Sequence, residues 1–256
     1  MKLINKLLQK RIHNFPKNVD FNNIKIEIKD EREEEYLETH YYRIKKTLEI
    51  LEPKPKDKVL EVGCDSGLFS MILKEKFDIE LKAVEIVEEK IKTAKQRGIN
   101  VQKTDIEKDK LPFNDNYFDM VIFAEVIEHL SNPLPILSEI KRVVKPTGTV
   151  IISTPNAVGF SARYSHLLGA SPHHPPFLET KSSKGDYGIH HFEFTIKQFK
   201  DLLEKNGYKI EKVVFSRFNH QRRGIILKII ERLSLSKPTR SDIMIFKCKV
   251  YENNSN

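Results

Sequence analysis

Carboxylate and imidazole side chains cluster in two short stretches of the chain. In AEVIEHL, which follows an apolar run, Glu125, Glu128 and His129 are spaced i, i+3 and i+4. A helical turn would place all three on one face, and a distant histidine, His190, lies in IHHFEFT. Two carboxylates and two imidazoles predict a divalent metal site, Mg²⁺ or Mn²⁺, with open positions for a hydroxyl-bearing substrate. Glu125, His129 and His190 are the candidate catalytic residues, and either histidine can act as a general base without a metal.

The same side chains can have a structural role instead. They can serve as hydrogen-bond partners that join the loop after one strand to the next strand, and the sequence leaves both roles open. Two further histidines, His173 and His174 in SPHHPPF, can bind metal or can be loop residues held rigid by the neighbouring prolines.

The elements that position these groups alternate between short apolar runs and helical patterns. Strands are predicted at 58–62, 81–86, 99–103, 118–124, 149–154, 208–216 and 242–250, and helices at 31–52, 67–77, 87–97, 133–144 and 195–207. This alternation predicts βαβ units and an α/β fold with a parallel sheet buried on both faces. Residues 155–190 break the rhythm with prolines, glycines and histidines, which is typical of a lid or substrate loop.

A glycine turn joins the first strand to the first helix of this pattern. VLEVGCDSGLFS at 59–70 holds Gly63 and Gly67 four residues apart, with Asp65 between them. Glycine lets the backbone approach a ligand closely, and open α/β sheets bind ligands beyond the carboxyl ends of their strands. A tight connection without any ligand is the alternative for this turn taken alone.

Two acids follow the next two strands. Glu85 ends the second strand, eighteen residues after Gly67, where a carboxylate can accept both ribose hydroxyls. Asp105 follows the third strand, where it can accept from an adenine amino group while Ile106 offers its backbone N–H. Each acid alone can be a helix cap or a surface charge. Together, in this order and spacing, they predict a site shaped for adenosine. A dinucleotide site is disfavoured, because GCDSGL lacks the G-x-G-x-x-G pattern that a pyrophosphate needs.

Five collinear segments carry a resemblance to a known family. They are VLEVGCDSG, VEIVEEKIKTAK, TDIEKDKLPFNDNYFDMVI, AEVIEHLSNPLPILSEIKRVVKPTGTVIISTPN and HHFEFTIKQFKDLLEKNGY. Over about residues 57–215 the sequence resembles the class I S-adenosylmethionine-dependent methyltransferases. The resemblance implies a Rossmann-like, doubly wound, seven-stranded and mostly parallel sheet with helices on both faces, and it implies an antiparallel last strand.

The resemblance also implies roles for individual residues. The cofactor would be S-adenosylmethionine (SAM), with the ribose at Glu85 and the adenine at Asp105 and Ile106. Its remaining contacts would be Glu61, Gly63 and Gly67 at the methionine end and the backbone near Ala124 at the flank. The family usually has glycine where Asp65 stands, and aspartate tolerates the left-handed backbone that such a turn needs.

The resemblance also indicates which kind of acceptor the protein methylates. His190 occupies a position where the family commonly has histidine. A similar Glu-x-x-Glu-His pattern occurs in small-RNA 2′-O-methyltransferases and in ubiquinone-pathway O-methyltransferases, where a metal can orient adjacent oxygens. EVIEHL and STPN resemble the ubiquinone-pathway branch most, so we expect O-methylation of a small-molecule or lipid-linked acceptor. The alternatives are a metal-dependent RNA 2′-O-methyltransferase, for which no RNA-binding module is recognisable, and a non-catalytic SAM-binding partner subunit.

Domain organisation and charge complete the predictions. Residues 1–55 form a helical extension or cap, in which Tyr36, His40, Tyr41 and Tyr42 can fold over the cofactor or pack; residues 56–256 form the methyltransferase domain. The net charge of +8 is concentrated near the N-terminus and in 217–240, a basic helical insertion. Its helix 221–235 can contact an anionic membrane peripherally or pack on the sheet. No apolar run is long enough to cross a bilayer, and the two cysteines are expected to be reduced thiols in the cytoplasm. The sequence makes no prediction of oligomeric state.

Overall fold

The computed structural model of the chain describes residues 31–167, 169, 190–217 and 240–251. The strands are β1 (Lys58–Val62), β2 (Glu80–Glu85), β3 (Asn100–Lys103), β4 (Phe118–Ala124), β5 (Val144–Pro155), β6 (Tyr208–Ser216) and β7 (Ile243–Val250). The helices are α1 (Glu31–Ile50), α2 (Leu68–Lys76), α3 (Glu88–Gln96), α4 (Leu134–Val143), α5 (Phe160–Leu167) and α6 (Ile196–Lys205), with a 3₁₀ turn at Ile127–His129.

Seven strands within the described residues form one sheet in the order β3-β2-β1-β4-β5-β7-β6. Strands β1 to β5 are parallel to one another. Strand β7 is antiparallel to both β5 and β6. The mostly parallel α/β sheet with an antiparallel last strand, predicted from the sequence, is confirmed.

Helices cover both faces of the sheet, as expected for a doubly wound fold. On β4, Ile122 packs in a core cluster with residues of α1, α2 and α3. Its neighbours Val121 and Phe123 pack in a second cluster with α4 and α6. Successive strand residues point to opposite faces of the sheet. The nearly continuous apolar runs of the central strands therefore contribute side chains to both clusters.

The predicted strand limits are close to the observed ones, with one correction. Strands β1, β4 and β6 have the bounds that the sequence indicated. Strand β5 begins at Val144, five residues before the predicted start at 149, and follows α4 directly. Pro146 and Gly148 suggest a turn in the sequence, but Val144 already pairs with Phe118 beside an irregularity in the β4–β5 register.

Helix α1 belongs to the core rather than lying loosely on it. Leu37, Ile44 and Leu48 are buried in the cluster that also contains α2. At the end of the helix, Lys247 Nζ of β7 donates to the Ile50 carbonyl at 3.2 Å. It also donates to Glu52 at 2.6 Å. These contacts fix α1 against the carboxyl-terminal half of the sheet.

Several predictions lie outside the described residues. They concern His173 and His174, the basic helix 221–235, the segment 1–30 and most of 155–190. Inside the described part of 155–190, helix α5 occupies Phe160–Leu167, a helix that the sequence pattern did not predict. Among the residues with described coordinates, no helix is both long and apolar enough to pass through a bilayer.

Replacing Gly67 with alanine is expected to destabilise the fold by about 2–4 kcal/mol. Gly67 has φ 76°, and an added Cβ would lie 2.8 Å from the Cβ of Ala94 and 3.1 Å from its Cα. The variant would therefore have both backbone strain and a clash between α2 and α3. Denaturant unfolding measures the loss, and Gly98→Ala is the matched control, because Gly98 has φ 71° with nothing within 4 Å. Equal losses for the two variants would disprove the packing role of Gly67.

Candidate active site

A cavity of about 440 Å³ opens at the carboxyl ends of the parallel strands. The strand order reverses between β1 and β4, which is where open α/β sheets bind ligands. The predicted site residues that line the cavity are Gly63, Glu85, Asp105, Ile106, Ala124, Glu125, Glu128, His129 and His190. Glu61 and Gly67, also predicted, are not among its lining residues.

The glycine turn is a left-handed backbone that packs closely against the β4 loop. Gly63 has φ 77°, and a Cβ there would lie 2.6 Å from Val126 Cγ2. Asp65 takes φ 50°, which confirms that aspartate can adopt the backbone this turn needs. Its carboxylate accepts from the Ser66 N–H and forms an ion pair with Lys90 of α3. Asp65 and Lys90 both line the cavity, so the departure from glycine adds an ion pair at its rim.

Glu85 holds the loops after β1 and β2 together. Its Oε2 accepts from the Asp65 N–H at 2.9 Å. Its Oε1 accepts from the backbone N–H groups of Ile86 at 2.9 Å and Val87 at 3.0 Å. An ionised carboxylate offers about four acceptor positions, so one remains for a ligand in the cavity. Glu85 therefore holds the loops of the site together and can also accept a hydrogen bond from a ligand.

Asp105 lies at the end of the cavity that follows β3. Its carboxylate accepts from Lys108 Nζ at 2.8 Å and from the Glu107 N–H at 3.2 Å. The hydrogen bond from Lys108 is the main cause that lowers the pKa of Asp105. Asp105 is therefore ionised at neutral pH and can accept from a donor. Ile106 lies beside it on the cavity wall.

Glu61 lies behind the cavity rather than on its wall. It is 5% exposed, and its Oε2 accepts from the Ser70 hydroxyl of α2. Burial raises the pKa of Glu61 to about 8, although the Ser70 hydrogen bond and the Arg43 charge both lower it. The interaction with Ser70 links β1 to α2 beneath the glycine turn.

The pH dependence of stability should report on Glu61. Its pKa is about 8 in the folded protein and is ordinarily 4.5. Between these values the folded state holds more protons than the unfolded state, so stability falls as pH rises through this window. Glu61→Gln, which keeps an oxygen for Ser70, is expected to flatten that fall. Urea unfolding of the unliganded protein at several pH values measures it, and an unchanged slope would contradict the assignment.

The loop after β4 does not form the helical turn that the i, i+3, i+4 spacing suggested. Glu125 has φ 56° and precedes the 3₁₀ turn, and its carboxylate accepts from the Ser153 hydroxyl at 2.7 Å. Glu128 is 1% exposed and accepts from the Thr154 hydroxyl at 3.3 Å. Burial, and then the charge of Glu125, raise the pKa of Glu128 well above its usual value. Burial also raises the pKa of Glu125, and Arg43 opposes that shift.

Three of the four predicted metal ligands come together. The ligand atoms of Glu128, His129 and His190 all lie within 4.8 Å of one another, and the two imidazole rings meet edge to face at 4.8 Å between centroids. Glu125 is not part of this group. His190 Nδ1 is 3.5 Å from Glu193 Oε1, and Glu193 was not singled out in the sequence. One carboxylate and two imidazoles form a donor set that suits a divalent transition-metal ion.

Backbone hydrogen bonds hold His190 in this position. The Glu128 carbonyl accepts from the N–H groups of His191 at 2.7 Å and Phe192 at 3.1 Å. Phe194 then pairs with Asn156 at the end of β5. These bonds join the β4 loop to the segment that precedes α6. The structural role that the sequence left open concerns the side chains, and Glu125 and Glu128 have such a role because they accept from the hydroxyls of β5. Both roles are compatible with this geometry.

Helix α1 contributes a cation that the sequence analysis missed. Arg43 is 1% exposed and donates to the Tyr36 hydroxyl. Among the described residues, its Nε has no hydrogen-bond partner. Its charge lowers the pKa values of Glu61 and Glu125. The sequence contains one indication of this role, because Tyr36, His40 and Arg43 are spaced along one helical face. Burial of Arg43 was not expected, since arginine is almost never fully buried unless it is paired.

The same helix places two rings on the cavity wall. Tyr36 and His40 line the cavity, with their ring centroids 4.4 Å apart. Burial and the Arg43 charge lower the pKa of His40 to about 3, so its imidazole is neutral at any working pH. Tyr41 and Tyr42 instead contact each other edge to face and do not line the cavity.

The strand order, the antiparallel last strand and the cavity at the reversal point are typical of class I SAM-dependent methyltransferases. A family model described as "Methyltransferase domain" matches residues 32–213, and the chain belongs to that family. The fold agrees with the crystal structure of a SAM-dependent methyltransferase from Thermotoga maritima, with a TM-score of 0.61 and 20% identity over 86% of this chain and 95% of that chain.

Two curated relatives are similar in sequence. A demethylmenaquinone methyltransferase of Bacillus cereus is 32% identical over 130 residues, which are 47% of this chain and 55% of the relative. A ubiquinone biosynthesis O-methyltransferase of Haemophilus ducreyi is 32% identical over 108 residues, which are 39% of this chain and 45% of the relative. The chain thus spans about half the length of these curated relatives.

Proposed function

We propose that this chain transfers a methyl group from SAM to an oxygen of a small-molecule or lipid-linked acceptor. The observation that carries the proposal is one continuous cavity. Its wall includes Glu85 and Asp105, and it also includes Glu128, His129 and His190. The first pair suits a nucleoside, and the second group suits an acceptor hydroxyl. The names of the relatives, which include a ubiquinone biosynthesis O-methyltransferase, support this acceptor class.

The residues of the cavity fit the cofactor. Glu85 would accept from one ribose hydroxyl through its remaining acceptor position, and Asp105 with the Ile106 N–H would bind the adenine. Gly63 and the backbone of Ala124 would allow close approach at the flank, while Glu61 and Gly67 support the turn from behind. When bound, SAM supplies a methyl group on a positively charged sulfur.

Arg43 and Tyr36 would receive the amino-acid end of the cofactor. The guanidinium is buried, donates to Tyr36 and retains an Nε without a partner among the described residues. Tyr36, which accepts from Arg43, forms part of the cavity wall, whereas Arg43 is not among the lining residues. A carboxylate is the natural partner for such a cation. In this proposal, the helical extension caps the cavity through Tyr36 and His40.

On the acceptor side, the chain positions an oxygen and takes its proton. Catalysis in such a site comes largely from holding the reacting groups in line at about 3 Å. His190 is the proposed general base, with Glu193 beside Nδ1 and the Glu128 carbonyl fixing the segment that carries it. His129 lies against the same ring and can orient the acceptor.

A divalent ion is the alternative to a protein base in the same place. Glu128, His129 and His190 would hold it, and it would supply positive charge to an acceptor oxygen. Glu128 Oε1 and His129 Nε2 are 4.0 Å apart, so binding would draw these side chains closer together. Calorimetric titration with Mn²⁺ tests this, and Glu128→Gln is expected to abolish any binding that the wild type shows.

Substitution of His190 should reduce methyl transfer without weakening SAM binding. His190→Ala is expected to leave SAM affinity nearly unchanged and to reduce methyl transfer by about 10²–10⁴-fold. The assay follows labelled methyl transfer from SAM to a panel of phenols, catechols and quinols, with calorimetry for SAM. His191→Ala is the matched control, because this neighbouring histidine is exposed and does not line the cavity. Wild-type turnover in His190→Ala would remove this histidine from the mechanism.

A further inference from the structure

Thr104, directly after β3, lines the ligand cavity and has a buried hydroxyl. The residue is 4% exposed and lines the same cavity as Glu85 and Asp105. Its backbone N–H donates to the Glu85 carbonyl at 3.0 Å, so the residue is held in place. Among the described residues, its Oγ1 has no hydrogen-bond partner.

This hydroxyl differs from those of other threonines in the chain. Thr47, Thr93 and Thr154 each donate to a nearby oxygen, at 2.9, 3.0 and 3.3 Å. A buried hydroxyl without a partner costs about 1–3 kcal/mol, and valine would fill the same space without that cost. Because Thr104 lines the cavity, a ligand bound there is the partner that we consider for this hydroxyl.

We infer that Thr104 Oγ1 is a further polar contact for the nucleoside, in addition to Glu85, Asp105 and the Ile106 N–H. A hydroxyl can donate as well as accept, whereas Glu85 and Asp105, when ionised, only accept. Thr104 therefore donates to a lone pair of the nucleoside, on a ring nitrogen or a ribose oxygen, and helps to select an adenosine-containing ligand. This inference rests on the proposed function, since it concerns the nucleoside half of the same cavity.

The test is the affinity for S-adenosylhomocysteine, measured by calorimetry on the full chain. Thr104→Val, which keeps the shape and removes the hydroxyl, is expected to raise the Kd by about 5- to 10-fold. Thr104→Ser keeps the hydroxyl and is expected to stay within about twofold of wild type. Thermal unfolding of the unliganded Thr104→Val protein should show equal or higher stability, because an unpaired polar group is removed.

Ser216→Ala is the matched control. Ser216 Oγ is also buried and has no partner among the residues with described coordinates, but Ser216 does not line the cavity. The affinity of Ser216→Ala for S-adenosylhomocysteine should equal that of wild type. Unchanged affinity in Thr104→Val, or an equal loss in Ser216→Ala, overturns the inference. If the valine variant does not fold, the affinity of Thr104→Ala is measured and judged by the same criterion. Failure of the wild type to bind S-adenosylhomocysteine would instead count against the proposed function itself.

Discussion

Glu85→Ala is expected to weaken SAM binding by about 1–3 kcal/mol, close to 5- to 150-fold in Kd. Glu85 lies on the cavity wall and keeps one acceptor position free of the protein's own N–H groups. The variant loses that position, and it also leaves the Asp65, Ile86 and Val87 N–H groups without their acceptor. Calorimetry measures the affinity, and thermal unfolding measures the accompanying loss of stability.

Two further variants separate binding from folding. Glu85→Gln keeps one oxygen for the backbone donors, so its stability should exceed that of the alanine variant while its affinity stays reduced. Glu88→Ala is the matched control, because Glu88 is an exposed acid at the start of α3 that pairs with Lys103 at 3.0 Å and lies outside the cavity lining. A Glu85→Ala protein that loses stability but binds SAM like wild type would contradict the ribose assignment.

Arg43→Met is expected to weaken binding of S-adenosylhomocysteine by about 1.5–3 kcal/mol, as for a lost hydrogen bond to a charged group. Methionine preserves the apolar packing of the arginine stem, so the main loss is the charge. The loss should appear only for ligands with an amino-acid end. Binding of 5′-methylthioadenosine, which lacks the carboxylate and the ammonium group, should change little.

The comparison of the two ligands distinguishes recognition from folding. Lys46→Met is the matched control on the same helix, since Lys46 is only partly buried and pairs with Glu49 at 2.7 Å. It should leave both affinities as they are. Equal weakening of both ligands by Arg43→Met would mean that Arg43 supports the fold of α1 and does not contact the amino-acid end.

The sheet and the nucleoside side of the cavity could be predicted because each follows from local pattern. Apolar runs gave the strands, and loops at the carboxyl ends of parallel strands meet at one edge. That topology brings Glu85 and Asp105 to a common cavity, although they are twenty residues apart in the chain. The left-handed backbone at Asp65 also follows from residue type.

The rest depends on tertiary contacts that the sequence pattern does not reveal. Glu125 takes φ 56°, which breaks the helical turn that would have joined it to Glu128 and His129. Arg43 is recognised only when burial is known, because an arginine on a helix is ordinarily exposed. Thr104 stands out only through its lack of a partner among the described residues.

A crystal structure with S-adenosylhomocysteine bound tests the central proposal most directly. We expect a ribose hydroxyl within hydrogen-bonding distance of the Glu85 carboxylate, and the adenine amino group at Asp105. We also expect the sulfur to face His129 and His190. A ligand bound elsewhere, or one whose nucleoside contacts neither carboxylate, would contradict the proposal.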